Sequence, residues 1–332
     1  MKGKNISIYF DGTWEVPDTY LEDGDESTNV YRLYKAALDS GETHCLYING
    51  VGNGWYSSQF GGWFGLGIRD KVITAYQYLA RNYVDGDNVF LFGYSRGGYS
   101  ARALSGVLSF AGLSASGMVE STAIAAWEAY RSSNTAEGNN LSFMAKYNSK
   151  VIPIQFLGVF DTVRSMGAPL PFLRKANKAL YVFHDNYPAS NVKNAYQALA
   201  LDETRPSFEQ NLWCGSRPGQ NMEQVWFSGS HADIGGGYLV PKAANIVLHE
   251  MAMKAIASGL LIGLSSIPAV SDYNSKATIH DSYVKSFGGV YKLFFSRVHR
   301  IVTLGDESNQ SIHPSVRYRE ENTNYTPKAV IK

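Results

Sequence analysis

"NVFLFGYSRGGYSARALSG", residues 88–106, decides how the chain is read. The apolar run Val89-Phe90-Leu91-Phe92 stops at Gly93. One serine then stands between glycines in Gly93-Tyr94-Ser95-Arg96-Gly97, and small-residue helical sequence follows. A serine hydroxyl is a weak nucleophile until a base takes its proton and donors receive the oxyanion it creates. A Gly-x-Ser-x-Gly elbow supplies the setting, a sharp strand-to-helix turn where flanking side chains would collide with the strand. Gly93 and Gly97 meet that need, and Gly98 leaves room for the helix. The first helical turn brings N–H groups and a positive dipole end, so the Arg96 N–H is a candidate oxyanion donor. A five-residue pattern also recurs as a plain small-residue turn. The strand before it and the helix after it favour the nucleophile.

Other apolar runs end the same way, in small or acidic residues. "ISIYF" runs into "DGTW", "HCLYI" into "NGVGNG", "IPIQFLGVF" into "DTV" and "QVWFSG" into "SHADIGGG". Between them lie helical patterns at residues 28–38, in "RDKVITAYQYLARNYV" and in "AANIVLHEMAMKAIASG". In the second, Val72, Ile73, Tyr76, Leu79, Ala80 and Tyr83 share one face. Near-continuous apolar strands alternating with helices predict a mostly parallel α/β sheet covered on both faces. Ligands of such sheets bind beyond the carboxyl ends of the strands, so the residues after each run matter most. Residues 112–150 (a helix, "STAIAAWEAY", then a loop) and the polar, Tyr-rich residues 263–332 fall outside the pattern. With no linker-like composition, one domain with an insertion and a C-terminal extension is expected.

A serine elbow in a hydrolase of this kind predicts an acid after a later strand and a histidine after the last. Asp161 directly follows "QFLGVF" and His231 closely follows "QVWFSG". His231 would take the Ser95 proton, and Asp161 would fix the imidazole tautomer. Asp202, Glu203 and Asp233 compete as the acid, and Asp161 could merely cap a turn. Asp233 fits better as an anchor of the Gly235-Gly236-Gly237 turn. His280 and His313 compete as the base, but neither closely follows a strong buried-strand run. A second oxyanion donor is expected from "YFDGTW", at the N–H of Gly12 or Thr13, although Asp-Gly also makes ordinary turns.

Other signals are weaker. "DGT" after a strand suggests a haloacid-dehalogenase phosphatase, but Tyr9 stands where that chemistry needs a nucleophilic aspartate. "GVGNG" imitates a dinucleotide fingerprint without a helix start after it, and no GxxxxGK[ST] loop or HExxH helix is present. No metal or organic cofactor is called for. Residues 55–70 set Trp55, Tyr56, Phe60, Trp63, Phe64 and Leu66 among glycines and serines. Such a mobile aromatic loop could admit an acyl chain or touch a lipid surface, and it could equally pack on itself.

Charge is nearly balanced over the 332 residues, with 30 Lys plus Arg against 29 Asp plus Glu, so no nucleic-acid partner is indicated. Cys45 and Cys214 have no CxxC partners and are expected to be buried thiols in strand-like segments. The N-terminus lacks the apolar region of a signal peptide, and no apolar run is long enough to span a bilayer. The expectation is a soluble protein made in the cytoplasm.

Taken in order, "DGTW", "TNVYRLYKA", "GYSRGGYSARALSG", "GVFDTVRSMG", "AYQALALDETR", "VWFSGSHADIGGGY" and "IHPSVRYR" resemble one family over residues 11–319. It is the bacterial α/β hydrolases long labelled a domain of unknown function, which include type VI secretion phospholipase effectors. The resemblance implies an α/β-hydrolase fold and a Ser95-Asp161-His231 triad. It implies a glycerophospholipid acyl ester as substrate, transient membrane contact, and delivery into a target cell with secretion-machinery and immunity partners. A carboxylesterase or lipase on neutral or soluble esters is the nearest alternative, and a non-catalytic binding module on the same scaffold is the other.

Overall fold

The computed structural model describes residues 3–12, 27–50, 63–114, 119–133, 140–163, 186–238, 240–271, 276–285, 292, 295–305 and 309–332. The chain runs β1 (Asn5–Phe10), α1 (Asn29–Asp39), β2 (Cys45–Ile48), α2 (Trp63–Asn82), β3 (Asn88–Tyr94) and α3 (Arg96–Phe110). Next come β4 (Leu113–Ser114), α4 (Val119–Ser132), α5 (Leu141–Tyr147), β5 (Ser149–Lys150), β6 (Ile154–Phe160) and β7 (Asn194–Ala200). After β8 (Asn221–Phe227) follow α6 (His231–Gly235), α7 (Lys242–Ala257), β9 (Ile301–Val302), β10 (Gln310–Ile312) and β11 (Val330–Ile331).

Among the described residues seven strands form one sheet in the order β10-β8-β7-β6-β3-β1-β2, and every neighbouring pair is parallel. From β1 the chain first builds outward to β2, then returns to place β3 on the other side. The strand order therefore reverses between β1 and β3, the switch point where open α/β sheets bind ligands. Side-chain alternation assigns the two faces. Ile6, Ile8, Phe10, Val89 and Leu91 pack against Val72 and Leu79 of α2, Leu104 of α3 and Trp127 of α4. Tyr9, Phe90 and Phe92 face Val30 and Leu33 of α1 and Met251 of α7. A sheet buried on both sides explains why its strands read as unbroken apolar runs.

Several details differ from the sequence expectations. β7 was not anticipated: its sequence, NAYQALA, is rich in alanine and poor in β-branched residues. It is nonetheless a central strand, because Ala195, Ala198 and Ala200 are small enough to lie under tightly packed layers. α2 begins at Trp63, inside the segment expected to be a loop, so Trp63 and Phe64 belong to its first turn. Residues 119–132 are part of the main core, since Ala123, Ala126, Trp127 and Tyr130 of α4 pack with β1, β3 and α2. At the far edge, Val302 and Val316 cover Leu199 of β7, Leu201 just after it and Trp226 of β8. Cys214 is exposed and lies outside any strand, contrary to expectation, while Cys45 is half-buried at the start of β2. Among the described residues no helix is long and apolar enough to cross a membrane.

The elbow depends on backbone contact. A Cβ on Gly97 would lie 2.1 Å from the Phe10 carbonyl oxygen, and one on Gly93 would lie 2.4 Å from that of Gly97. Both obstacles are main chain, so no rotamer change relieves them. Gly97→Ala should therefore destabilise the fold by about 3 kcal/mol, the upper end for overpacking. Urea unfolding would read that loss, and a midpoint equal to wild type would contradict the close packing of α3 on the end of β1.

Candidate active site

Ser95 occupies the turn between β3 and α3 with φ 57° and ψ −120°. Only a surrounding structure that over-determines the turn holds a serine there, at a cost of about 1–3 kcal/mol. Asp161 follows β6 and is also in a positive-φ conformation, at 39°. His231 opens α6 after β8. All three follow parallel strands of one sheet and so emerge on one rim. Main-chain bonds extend the ladder past the strand ends: the Ser95 N–H donates to the Phe160 carbonyl at 3.0 Å and that of Asp161 to Ala198 at 2.7 Å.

Two members of the expected set are in direct contact. His231 Nδ1 lies 2.6 Å from Asp161 Oδ2, with both side chains buried. The ionised carboxylate accepts this bond, which leaves Nε2 as the acceptor nitrogen of the neutral ring. The residue before Ser95 reaches the same pair, since the Tyr94 ring packs on the His231 ring with centroids 4.7 Å apart. Phe208 meets the imidazole edge-on at 4.9 Å, completing an aromatic seat. Burial pulls the His231 pKa down; the Asp161 hydrogen bond and charge oppose it, and the net position is below 6.5.

Arg300 has no counterpart among the sequence candidates. Its guanidinium spans the Asp161 carboxylate, with Nη1 2.6 Å from Oδ1 and Nη2 3.0 Å from Oδ2. The Ala200 N–H also donates to Oδ1 at 3.0 Å. Burial alone would raise the Asp161 carboxyl, but the Arg300 charge and then the His231 hydrogen bond outweigh it. The group is held well below the usual carboxylate range. No periodicity or local motif links residues 139 apart, so only the fold reveals this pair.

The rival acids have other partners. Asp202 accepts from the Gly229 N–H, the Tyr325 hydroxyl and the Lys328 N–H. Asp233 forms a capping box with Ser230 and pairs with His280 Nδ1 at 2.7 Å, which makes it the anchor of α6. Glu203 is held by two hydrogen bonds from the Arg205 side chain and accepts the His231 main-chain N–H at 3.2 Å. His280 is taken by Asp233. His313 does follow a strand, but that strand is β10 at the sheet edge; its ring stacks on Phe227 and its Nδ1 accepts the Ser315 N–H.

The residues expected to donate to an oxyanion differ in their surroundings. Arg96 takes the first position of α3, at the positive end of the helix. The Gly12 N–H donates to Asp11 Oδ1 at 2.7 Å, so this amide is already engaged by its neighbour's carboxylate. Asp11 also accepts from the Thr28 hydroxyl at 2.7 Å and from Tyr47, and Lys71 Nζ donates to the Asp11 carbonyl at 2.9 Å. Burial lowers the Lys71 pKa to about 8. Thr13, Trp55 and Phe60 lie outside the described residues, as do the side chains of Trp63 and Phe64. Among the described residues no group of three or more His, Cys, Asp or Glu side chains is placed to hold a metal ion.

A parallel sheet with helices on both faces and a serine elbow at its rim defines the α/β-hydrolase fold. The chain belongs to the family of type VI secretion system Tle1-like phospholipase effectors, whose catalytic-domain model matches residues 4–254. An uncharacterized protein of Saccharomyces cerevisiae is 28% identical over 240 residues, which are 63% of this chain and 32% of that protein. The crystal structure of an uncharacterized protein from Pseudomonas aeruginosa is similar at TM-score 0.50 and 15% identity, covering 83% of this chain and 51% of that one. A Tle1 effector bound to the VgrG spike of the type VI secretion system gives TM-score 0.45 at 15% identity, covering 88% and 80%. The chain thus spans about a third of its curated relative and about half of the Pseudomonas protein.

Burial lowers the His313 pKa to about 4, with Lys254 adding to the shift. Unfolded histidine titrates near 6.5, so between these values the unfolded chain binds more protons and stability falls as pH falls. The His313 resonance should titrate near pH 4 by NMR. His313→Gln should flatten the loss of thermal stability between pH 6.5 and 4, and a normal histidine titration would contradict the packed, neutral ring.

Proposed function

We propose that the protein is a serine esterase of the phospholipase A type, cleaving acyl esters of glycerophospholipids through Ser95, His231 and Asp161. The observation that carries this is the buried contact of 2.6 Å between His231 Nδ1 and Asp161 Oδ2, on the sheet rim where a serine in a strained elbow also emerges. That contact leaves Nε2 unprotonated for general-base work.

Ser95 Oγ attacks the ester carbonyl carbon while His231 Nε2 takes its proton. The Arg96 N–H at the start of α3 faces the charge that develops on the carbonyl oxygen. Asp161 stays ionised and offsets the imidazolium. Collapse of the tetrahedral intermediate breaks the bond to the alkoxy oxygen, which leaves as lysophospholipid with the proton from Nε2. Water, deprotonated by the same nitrogen, then attacks the acyl-enzyme and releases the fatty acid and Ser95. No step requires a metal or organic cofactor.

Family membership supports the phospholipid as substrate and delivery by a type VI system with a secretion-machinery partner; an immunity protein and transient membrane contact belong to the same proposal. The aromatic residues Trp55, Phe60, Trp63 and Phe64 are the proposed lipid-facing group. The chain is read as one domain, because residues 119–132 and the strand β10 join the same core and sheet as the elbow.

On mixed liposomes the wild-type protein should release fatty acid and lysophospholipid. Ser95→Ala should lose about 10⁴-fold or more of that rate with an unchanged thermal midpoint. Undiminished release by Ser95→Ala would refute the nucleophile, and turnover of neutral glycerides alone would point to a lipase. Because burial lowers the His231 pKa, the acid limb of kcat/KM should fall below pH 6.5; a limb above it would contradict a base held neutral by its surroundings.

A further inference from the structure

We infer that Arg300, supplied by the chain beyond the family's catalytic-domain match, is a positioning residue of the catalytic site that sets the orientation and charge of Asp161. The inference rests on the triad reading above and deepens it. The matched region ends at residue 254, and Arg300 lies 46 positions further on (300 minus 254).

Arg300 is only 5% exposed, and its terminal nitrogens make four hydrogen bonds. Nη1 donates to Asp161 Oδ1 at 2.6 Å and to the Ala200 carbonyl at 3.0 Å. Nη2 donates to Asp161 Oδ2 at 3.0 Å and to the Phe208 carbonyl at 2.8 Å. The planar fork therefore fixes both carboxylate oxygens and, through Ala200 and Phe208, the two segments beside them. A lysine has one nitrogen and cannot reproduce this pattern.

The backbone of Arg300 is itself held. Its carbonyl accepts the Val330 N–H at 2.8 Å, and the Val298 N–H donates to the Thr204 carbonyl at 3.0 Å. Nearby, Tyr325 and Lys328 bond Asp202, and β10 pairs with β8, the strand that delivers His231. The C-terminal segment thus straps the acid and base loops together.

The electrostatic consequence concerns His231. Its charged neighbours are Asp161 on the Nδ1 side, Glu203 at its main-chain N–H and Arg205, which is paired with Glu203. Asp161 is shared between imidazole and guanidinium, so only part of its charge acts on the ring. Removing the guanidinium returns the whole charge to His231 and favours the imidazolium, which moves the acid limb of the rate profile upward.

The test measures kcat and KM against pH for the wild-type chain and for Arg300→Met and Arg300→Lys, with Ser95→Ala as the control. Arg300→Met should move the acid limb of kcat/KM up by about one pH unit, a tenfold loss of rate on its acid side. Its KM should be unchanged. Arg300→Lys, which keeps the charge but not the fork, should leave the limb in place and lower kcat about tenfold. A merely structural arginine would lower the rate equally at all pH values, and an unmoved limb in a folded Arg300→Met variant would overturn the inference. If Arg300→Met does not fold, Arg300→Lys decides, and a wild-type kcat there would overturn it. Retained turnover in Ser95→Ala would instead mean that the triad reading has failed.

Discussion

A carboxylate with no solvent exposure cannot stay ionised without partners, and Asp161 has an imidazole on one side and a guanidinium on the other. Taking a charge out of water costs several kcal/mol, and breaking such a pair from one side costs about 3–5 kcal/mol. The rest of the rim is arranged around that constraint. β6 must end where β8 and the segment at Arg300 converge, and α6 must begin where its first side chain reaches Asp161. Glu203 with Arg205, and Asp233 with His280, are further buried or half-buried pairs that lock the same loops. Acidic side chains that compete as triad acids in the sequence thus become supports of the loops around Asp161.

The elbow solves a different problem, that of bringing main chain against main chain. Gly97 lies on the carbonyl of Phe10, so α3 starts directly over the end of β1. That contact sits at the switch point of the sheet and joins the turn at Ser95 to the loop held by Asp11, Thr28, Tyr47 and Lys71. Tyr94, fixed by the core on one side, carries the same rigidity across to the His231 ring. Ser95 and His231 therefore rest on packed aromatic and backbone surfaces, and rigid support of this kind is what oriented catalytic groups need.

Much of this was legible in the sequence because buried parallel strands write themselves as apolar runs, and rim residues directly follow them. β1, β2, β3, β6 and β8 were marked in that way, and with them Ser95, Asp161 and His231. β7 was hidden because its alanines and Gln197 carry little strand signal, though Gln197 is fully buried and bonded to the Asn211 carbonyl. The start of α2 was hidden by glycines that read as loop. Gly12 looked like an oxyanion donor from its place after β1, and only coordinates reveal that its amide points to Asp11. Arg300 could not be read at all, since ion pairing between distant segments leaves no periodic trace.

The serine of the elbow is proposed to be activated by the imidazole that Asp161 and Arg300 hold in place. Reaction of the intact protein with a fluorophosphonate, followed by peptide mass spectrometry, tests this most directly because it requires an activated hydroxyl and no assumption about the natural ester. One phosphonyl group per chain is expected, on the peptide containing Ser95, with no labelling when His231 is replaced by alanine. Labelling that persists without His231, or that falls on another residue, would contradict it.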